Sequence, residues 1–347
     1  MTKEKKKGKV YIIGAGPGDP GLITIKAVRA LAEADVVIYD NLVNEELLKY
    51  APANAHFTYA GKQGGDHTLA QEEINALLVR QALDGHTVAR LKGGDPFIFG
   101  RGGEEAQVLA RNGIVFEVIP GVSSAVAVPA CAGIALTHRG LTSTVAFVTG
   151  HEDPTKEQSD INWQALVGIG TLVFLMGVKN LGRITASLIG AGRAPETPAA
   201  LIRRGTTPHQ QTLTGTLGDI AQRAQEAAFR PPAILVVGSV VELRESLEWF
   251  EKRPLFGRGV IITRPERQAD DLAGLLAAQG ANPIAFPTIA IEPPDDWQEL
   301  DAAIAQIESY NWLIFTSANG VHYFFERLRR NRKDVRDLKG VKICCIG

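Results

Sequence analysis

Three things are scarce in this 347-residue chain, and each scarcity closes off a class of function. Cysteine occurs only as Cys131, Cys344 and Cys345. With no CxxC spacing and two of the three adjacent, they supply neither a disulfide framework nor a structural zinc site, which fits a reduced, cytoplasmic chain. Excess charge is also missing: the net charge is -1. No global positive field attracts nucleic acid or an anionic membrane, so any anionic ligand must be met by local arginines and lysines. Long apolar runs are absent too. The longest weakly polar stretch, Pro120–Leu136, is interrupted by Pro129 and is too short to span a bilayer. The N-terminal lysines end at a short strand, Val10–Ile13, instead of the apolar core of a signal peptide, and read as a solvated tail.

Familiar catalytic signatures are missing as well. There is no GxxxxGK[ST], so Gly61-Lys62 is not a phosphate loop. No HExxH occurs, and the seven histidines lack metal-ligand spacing, so no metal is expected. His151-Glu152-Asp153 reads as a polar turn, and no GxSxG elbow is present.

What is present is a full core, with 45% hydrophobic and 22% charged residues, enough for two or three domains. Strand Val10–Ile13 leads to a helix over Leu22–Ala34, with Leu22, Ile25, Val28 and Leu31 expected on its buried face. Strand Val36–Tyr39, helix Gln71–Leu83, strand Thr87–Leu91, helix Glu104–Asn112 and strand Ile114–Ile119 follow. Such βαβ alternation predicts an α/β fold with a mainly parallel sheet. Beyond Pro120-Gly121 come strands near Val145–Thr149, Leu172–Leu175, Ala199–Ile202, Gln211–Thr214 and Ile234–Val237. The alternating pattern of the fourth suggests a half-exposed antiparallel strand, hence a mixed second sheet.

Two glycine-rich segments stand out. Gly14-Ala-Gly-Pro-Gly-Asp-Pro-Gly21 joins the first strand to the first helix and matches GxGxxG, with Asp40 at the end of the next strand. A dinucleotide site is the obvious reading, but Pro17 and Pro20 remove two amides and Asp19 sets a carboxylate where phosphates would lie. The loop suits a ligand without phosphate; a plain tight turn is the alternative. The second segment, Arg90-Leu-Lys-Gly-Gly-Asp-Pro-Phe-Ile-Phe-Gly-Arg-Gly-Gly-Glu-Glu105, lies at a strand's carboxyl end, where open α/β sheets bind ligands. Gly93 and Gly94 allow close backbone approach, Asp95 can pair with an ammonium or hydroxyl, and Arg101 can grip a carboxylate. Pro120-Gly-Val-Ser-Ser124 and Phe174-Leu-Met-Gly177 are expected to close the site, although a lone methionine such as Met176 is more often core.

These segments, with Val118-Ile-Pro-Gly121 and Leu136-Thr-His-Arg139, resemble the tetrapyrrole methylase family in its uroporphyrinogen-III C-methyltransferase branch, over residues 8–245. The resemblance implies two α/β lobes (about 8–120 and 121–245), a homodimer, and S-adenosylmethionine held in the cleft between the lobes. It places methyl-donor contacts at Pro17, Gly93, Gly94, Asp95, Ile98, Ser123, Ser124, Met176 and Gly205. Asp40 is the implied base and Lys62 the implied acid or charge partner. Arg101, Glu104 and Arg139 suit the carboxylates and pyrrole NH groups of uroporphyrinogen III, though Arg139 reads equally well as a surface arginine. The implied reaction is two successive methyl transfers giving precorrin-2. A dehydrogenase, a methylase of a later corrinoid and a non-catalytic binding scaffold are the competing readings.

A polar linker is expected at 246–258, after which strand–helix alternation restarts. Gly259-Val-Ile-Ile-Thr-Arg-Pro265, Phe286-Pro287 and Phe315-Thr-Ser-Ala-Asn-Gly320 resemble the start of uroporphyrinogen-III synthase. That resemblance covers under half of a synthase, so region 259–347 is expected to be partial and inactive.

Overall fold

The computed structural model describes residues 7–61, 69–151 and 160–346. They fall into two compact units. One runs through Ile262 and takes in Ala269–Ala285; the other joins Thr263–Gln268 to the segment from Phe286 onward.

The first lobe contains β1 (Lys9–Gly14), α1 (Ile25–Ala32), β2 (Val36–Tyr39), β3 (His56–Tyr59), α2 (Gln71–Leu83), β4 (Val88–Lys92), α3 (Gly102–Arg111) and β5 (Val115–Ile119). Its strands form one parallel sheet in the order β3-β2-β4-β1-β5. Successive side chains point to opposite faces, so β1 feeds two cores. Tyr11 and Ile13 pack with Ala27, Leu31 and Val37 on one side; Val10 and Ile12 pack with Ile38, Leu78 and Leu109 on the other. Burial on both faces explains the unbroken apolar strands. The chain leaves β1 toward β2 on one side and later reaches β5 on the other. That reversal opens a crevice at the carboxyl ends of β1 and β4.

The first helix differs from its expected form. The chain makes a short turn at Pro20–Leu22, then restarts as α1, where the Thr24 hydroxyl accepts from the Ala27 amide. This cap resets the helical phase. Ala27, Ala30 and Leu31 form the buried face, while Ile25 is 72% exposed.

The second lobe comprises α4 (Ser124–Cys131), β6 (Val145–Thr149), α5 (Trp163–Leu166), β7 (Thr171–Leu175), α6 (Leu181–Gly190), β8 (Pro198–Arg203), β9 (Gln211–Thr216), α7 (Ile220–Glu226), β10 (Ala233–Val237) and α8 (Arg244–Leu247). Its sheet order is β6-β7-β10-β8-β9, with β6 parallel to β7 and the other pairs antiparallel. The expected mixed sheet is present. The stretch 246–258, expected as a linker, packs closely. Phe250 is buried between the rings of Trp249 and Phe256, with the Arg253 guanidinium 3.8 Å from its centroid.

Beyond it, β11 (Gly259–Ile262), α9 (Glu266–Ala278) and β12 (Asn282–Ala285) form a parallel strand pair with its helix. The second unit carries α10 (Gln298–Ala305), β13 (Trp312–Phe315), α11 (Ala318–Arg330) and β14 (Lys342–Cys345). Here β13 pairs in parallel with β14, and Ile304, Phe315, Phe324 and Leu328 make a small core. Among the described residues, no helix is long and apolar enough to cross a membrane.

Candidate active site

The loops after β1, β4 and β5 meet backbone to backbone. Gly16 and Gly94 form an antiparallel bridge, with the Gly94 amide 2.6 Å from the Gly16 carbonyl and the reverse bond at 3.2 Å. Gly121 from the third loop presses on the same point: a Cβ there would lie 2.3 Å from the Gly94 carbonyl oxygen. Gly94 itself has φ +69°, yet a Cβ on it would find its nearest atom, the Ser124 nitrogen, at 3.7 Å. The conformation calls for glycine, although a methyl there would meet no more than an ordinary van der Waals contact. Asp95 braces this knot, one carboxylate oxygen accepting from the Phe97 amide (2.8 Å) and the other from the Gly121 amide (3.1 Å). Its first task is therefore to hold two loops together.

The loop after β1 is not a phosphate cradle. Asp19 accepts from the Gly21 amide at 2.8 Å and Thr24 caps α1, so the donors a pyrophosphate would need are already satisfied by the chain. The Asp19 amide instead donates to the Thr206 hydroxyl at 3.1 Å, fastening this loop to the second lobe beyond β8. Thr206 is 2% exposed and sits at φ +68°, an unusual conformation for a β-branched residue. The Gln210 side chain holds it there, accepting from the Thr206 amide at 2.9 Å and donating to Glu251 at 2.8 Å. Gly205 lies against Val128 of α4, and Ser123 caps that helix through the Ala125 amide. Of the expected donor contacts, Gly94 thus stands near Ser124, and Gly18, next to Pro17, stands near Gly205, around one meeting point of loops.

Beside it, at the ends of β2 and β4, four charges interlock. The Arg90 Nη2 donates to Asp40 Oδ1 at 2.7 Å, and its Nε donates to Glu105 Oε1 at 3.0 Å. Lys92 Nζ donates to the same Glu105 oxygen at 2.8 Å and stands 3.8 Å from Asp40 Oδ2. Arg90, Lys92 and Glu105 are all buried, whereas the Asp40 side chain keeps 28% exposure. Burial, reinforced by the adjacent Arg90 charge, pulls the Lys92 ammonium below the usual lysine range, against the opposing pull of Glu105 and Asp40.

Expected substrate residues are placed less tightly. Arg101 and Glu104 grip each other through two hydrogen bonds of 2.9 and 2.8 Å while both stay about half exposed. This pairing raises the Arg101 pKa and lowers that of Glu104. An exposed pair of this kind is worth little and can exchange for a ligand carboxylate. Arg139 is exposed in the 138–142 turn, with no ion pair among the described residues. Met176 stands half exposed at the end of β7 with φ +57°. Ile98 is half-buried between the exposed rings of Phe97 and Phe99. Lys62 lies outside the described residues.

The buried cluster of Arg90, Lys92 and Glu105 is not among the site residues expected from the sequence. A signal exists in β4: Arg90 and Lys92 share one face of a central strand that is otherwise apolar, where an unpaired charge would be prohibitive.

Two α/β lobes joined through glycine-rich loops at the carboxyl ends of the first sheet's strands make up the class of fold in which open sheets take small molecules at those ends. The sequence profile of the Tetrapyrrole (Corrin/Porphyrin) Methylases matches residues 9–221, and the chain belongs to that family. The profile of uroporphyrinogen-III synthase HemD matches residues 270–347. A porphyrin biosynthesis protein HemD of Ruminiclostridium josui is 42% identical over 98% of this chain and 68% of its own length. The S-adenosyl-L-methionine-dependent uroporphyrinogen III methyltransferase of Methanosarcina barkeri is 54% identical over 69% of this chain and 94% of its own. Among solved structures, uroporphyrin-III C-methyltransferase of Thermus thermophilus complexed with S-adenosylhomocysteine superimposes with TM-score 0.59 at 42% identity, covering 68% of this chain and 100% of that one.

Proposed function

We propose that this chain transfers methyl groups from S-adenosylmethionine to uroporphyrinogen III, twice in succession, giving precorrin-2. The observation that carries the reading is the meeting of Gly16, Gly94 and Gly121 at the carboxyl ends of the first sheet's strands, where Asp19 takes up an amide that a phosphate would need and the partly exposed Asp40 ends the adjoining strand. Relatives named as methyltransferases of uroporphyrinogen III or uroporphyrin III support the donor and the substrate class.

When bound, S-adenosylmethionine supplies an activated methyl whose bond to sulfur breaks as a pyrrole carbon attacks, the electron pair staying on sulfur. Most of what the protein must do is alignment. Pro17, Gly93, Gly94, Asp95, Ile98, Ser123, Ser124, Met176 and Gly205 would hold the donor. Arg101, Glu104 and Arg139 would orient the substrate's carboxylates and NH groups. A methylated ring is cationic and must lose a proton. Asp40 takes that proton on its carboxylate, which Arg90 holds at 2.7 Å, and Lys62 serves as acid or charge partner.

We also read the chain as a cytoplasmic homodimer. The synthase-like region is proposed to be inactive in this chain. Each of its strand pairs has only two members, with Ile261 on one and Ile314 and Ile343 on the other more than half exposed.

The test is anaerobic mass spectrometry of the purified chain with S-adenosylmethionine and fresh uroporphyrinogen III. A product heavier by two methyls is expected. An unmodified tetrapyrrole beside protein that binds the donor would refute the substrate assignment.

A further inference from the structure

Arg90, Lys92 and Glu105 are ionisable side chains buried in the interior of the first lobe, and the proposed methyl transfer uses none of them directly. Buried ions are a poor route to stability. Their desolvation commonly offsets their attraction, and well-packed apolar side chains serve a fold as well or better. The geometry shows another use. Arg90 spans two carboxylates with one rigid fork, its Nε on Glu105 Oε1 at 3.0 Å and its Nη2 on Asp40 Oδ1 at 2.7 Å.

Glu105 is itself pinned. The same Oε1 accepts from Lys92 Nζ at 2.8 Å and from Gln71 Nε2 of α2 at 3.2 Å. The guanidinium is therefore anchored on the buried side before it reaches the partly exposed carboxylate. Asp40 Oδ1 is occupied by this contact. Oδ2 has Lys92 at 3.8 Å, beyond hydrogen-bonding distance. Farther out on α3, Glu104 is engaged with Arg101, and on the loop after β2, Asn41 accepts from the Tyr59 hydroxyl.

We propose that Arg90 is a positioning residue for the methyl-transfer reaction: anchored on Glu105 and Lys92, it holds Asp40 Oδ1 so that Oδ2 is the oxygen presented to substrate. This rests on the reading of Asp40 as the group that takes the proton. The arrangement makes the position of one catalytic oxygen depend on residues 50 and 65 places further along the chain, Arg90 and Glu105.

A double-mutant cycle tests it, read by single-turnover methyl transfer from saturating S-adenosylmethionine to uroporphyrinogen III under anaerobic conditions. In Arg90→Lys the charge stays, but one ammonium cannot reproduce the two-ended fork. The rate should fall about tenfold or more, with donor affinity by calorimetry held within about twofold. In an Asp40→Asn background the same substitution should cost less than about twofold, because the oxygen it positions is already lost. Equal losses in the two backgrounds, or no loss in either, overturn the proposal. Should Arg90→Lys fail to fold, Lys92→Met, which keeps most of the stem volume and removes one anchor of Glu105, runs the same cycle under the same criteria. Normal turnover by Asp40→Asn alone is a different result: it removes Asp40 from the chemistry and does not depend on Arg90.

Discussion

Replacing Gly94 with alanine distinguishes space that a ligand needs from space that the fold needs. The added methyl meets nothing nearer than the Ser124 nitrogen at 3.7 Å, an ordinary contact. Its cost to the empty protein comes from the backbone, since φ +69° disfavours an L side chain by about 1–2 kcal/mol. In a unit of this size that lowers the unfolding midpoint by roughly 2–8 °C. A ligand lying over the glycine would feel more. Overpacking by a methyl costs about 1–3 kcal/mol, a loss of roughly 5- to 150-fold in affinity. Calorimetry with S-adenosylmethionine and S-adenosylhomocysteine measures the second quantity, and thermal unfolding of the ligand-free protein measures the first. Gly121→Ala is the contrast. Its Cβ would sit 2.3 Å from the Gly94 carbonyl oxygen, so that variant should be strongly destabilised without any ligand. Donor affinity equal to wild type in Gly94→Ala would refute the placement of the cleft.

Three further outcomes are expected. Asp40→Asn should slow turnover by about 100-fold or more, on the order of what a general base contributes, while leaving donor affinity within about twofold; normal turnover would exclude it as the base. Gln210→Leu leaves the buried Thr206 amide without its acceptor and frees the residue that holds the Asp19 amide. A stability loss of about 1–3 kcal/mol and weaker donor binding are expected, and unchanged binding would show the clasp between the lobes to be unimportant to the cleft. Glu117, held between Lys26 and Lys9, has its pKa drawn down from 4.5 to about 2. A carboxylate with a depressed folded-state pKa stabilises above its unfolded pKa and loses that effect as pH falls through the folded value. The gap in unfolding midpoint between wild type and Glu117→Gln should therefore be full above about pH 4.5, close toward pH 2, and shrink in high salt; a gap independent of pH would contradict the ion-pair account.

Elements with a strong local signature were legible in the sequence. Helix α2 spans the residues its periodicity indicates, and the buried strands of both lobes fall within a residue or two of expectation. Several elements were not read, β3 and α4 among them. Strand β3 lies at a sheet edge with His56 and Phe57 exposed, so it shows no burial pattern. Helix α4 is built of small apolar residues around Pro129, without the polar face that gives a helix its period. The meeting of three loops leaves a mark in the chain, because close backbone approach and positive φ call for glycine at Gly16, Gly94 and Gly121. The contact from Asp19 to Thr206 joins residues far apart in sequence, and no local rule reports it.

The four-charge cluster shows how the same physics that hides a residue's role also constrains it. Within β4, Arg90 and Lys92 read as faults in an apolar strand, and each alone would be a costly buried cation. Together with Glu105 and Asp40 they balance, two positive against two negative, with the one partly exposed member at the mouth of the crevice. Removing any buried member strands the others, so the cluster resists piecemeal substitution even though a wholly apolar replacement could be as stable. A fold under selection for stability alone has no use for that arrangement. One that must hold a single carboxylate still, at the end of a strand beside the meeting of the glycine loops, gains a fixed oxygen from it.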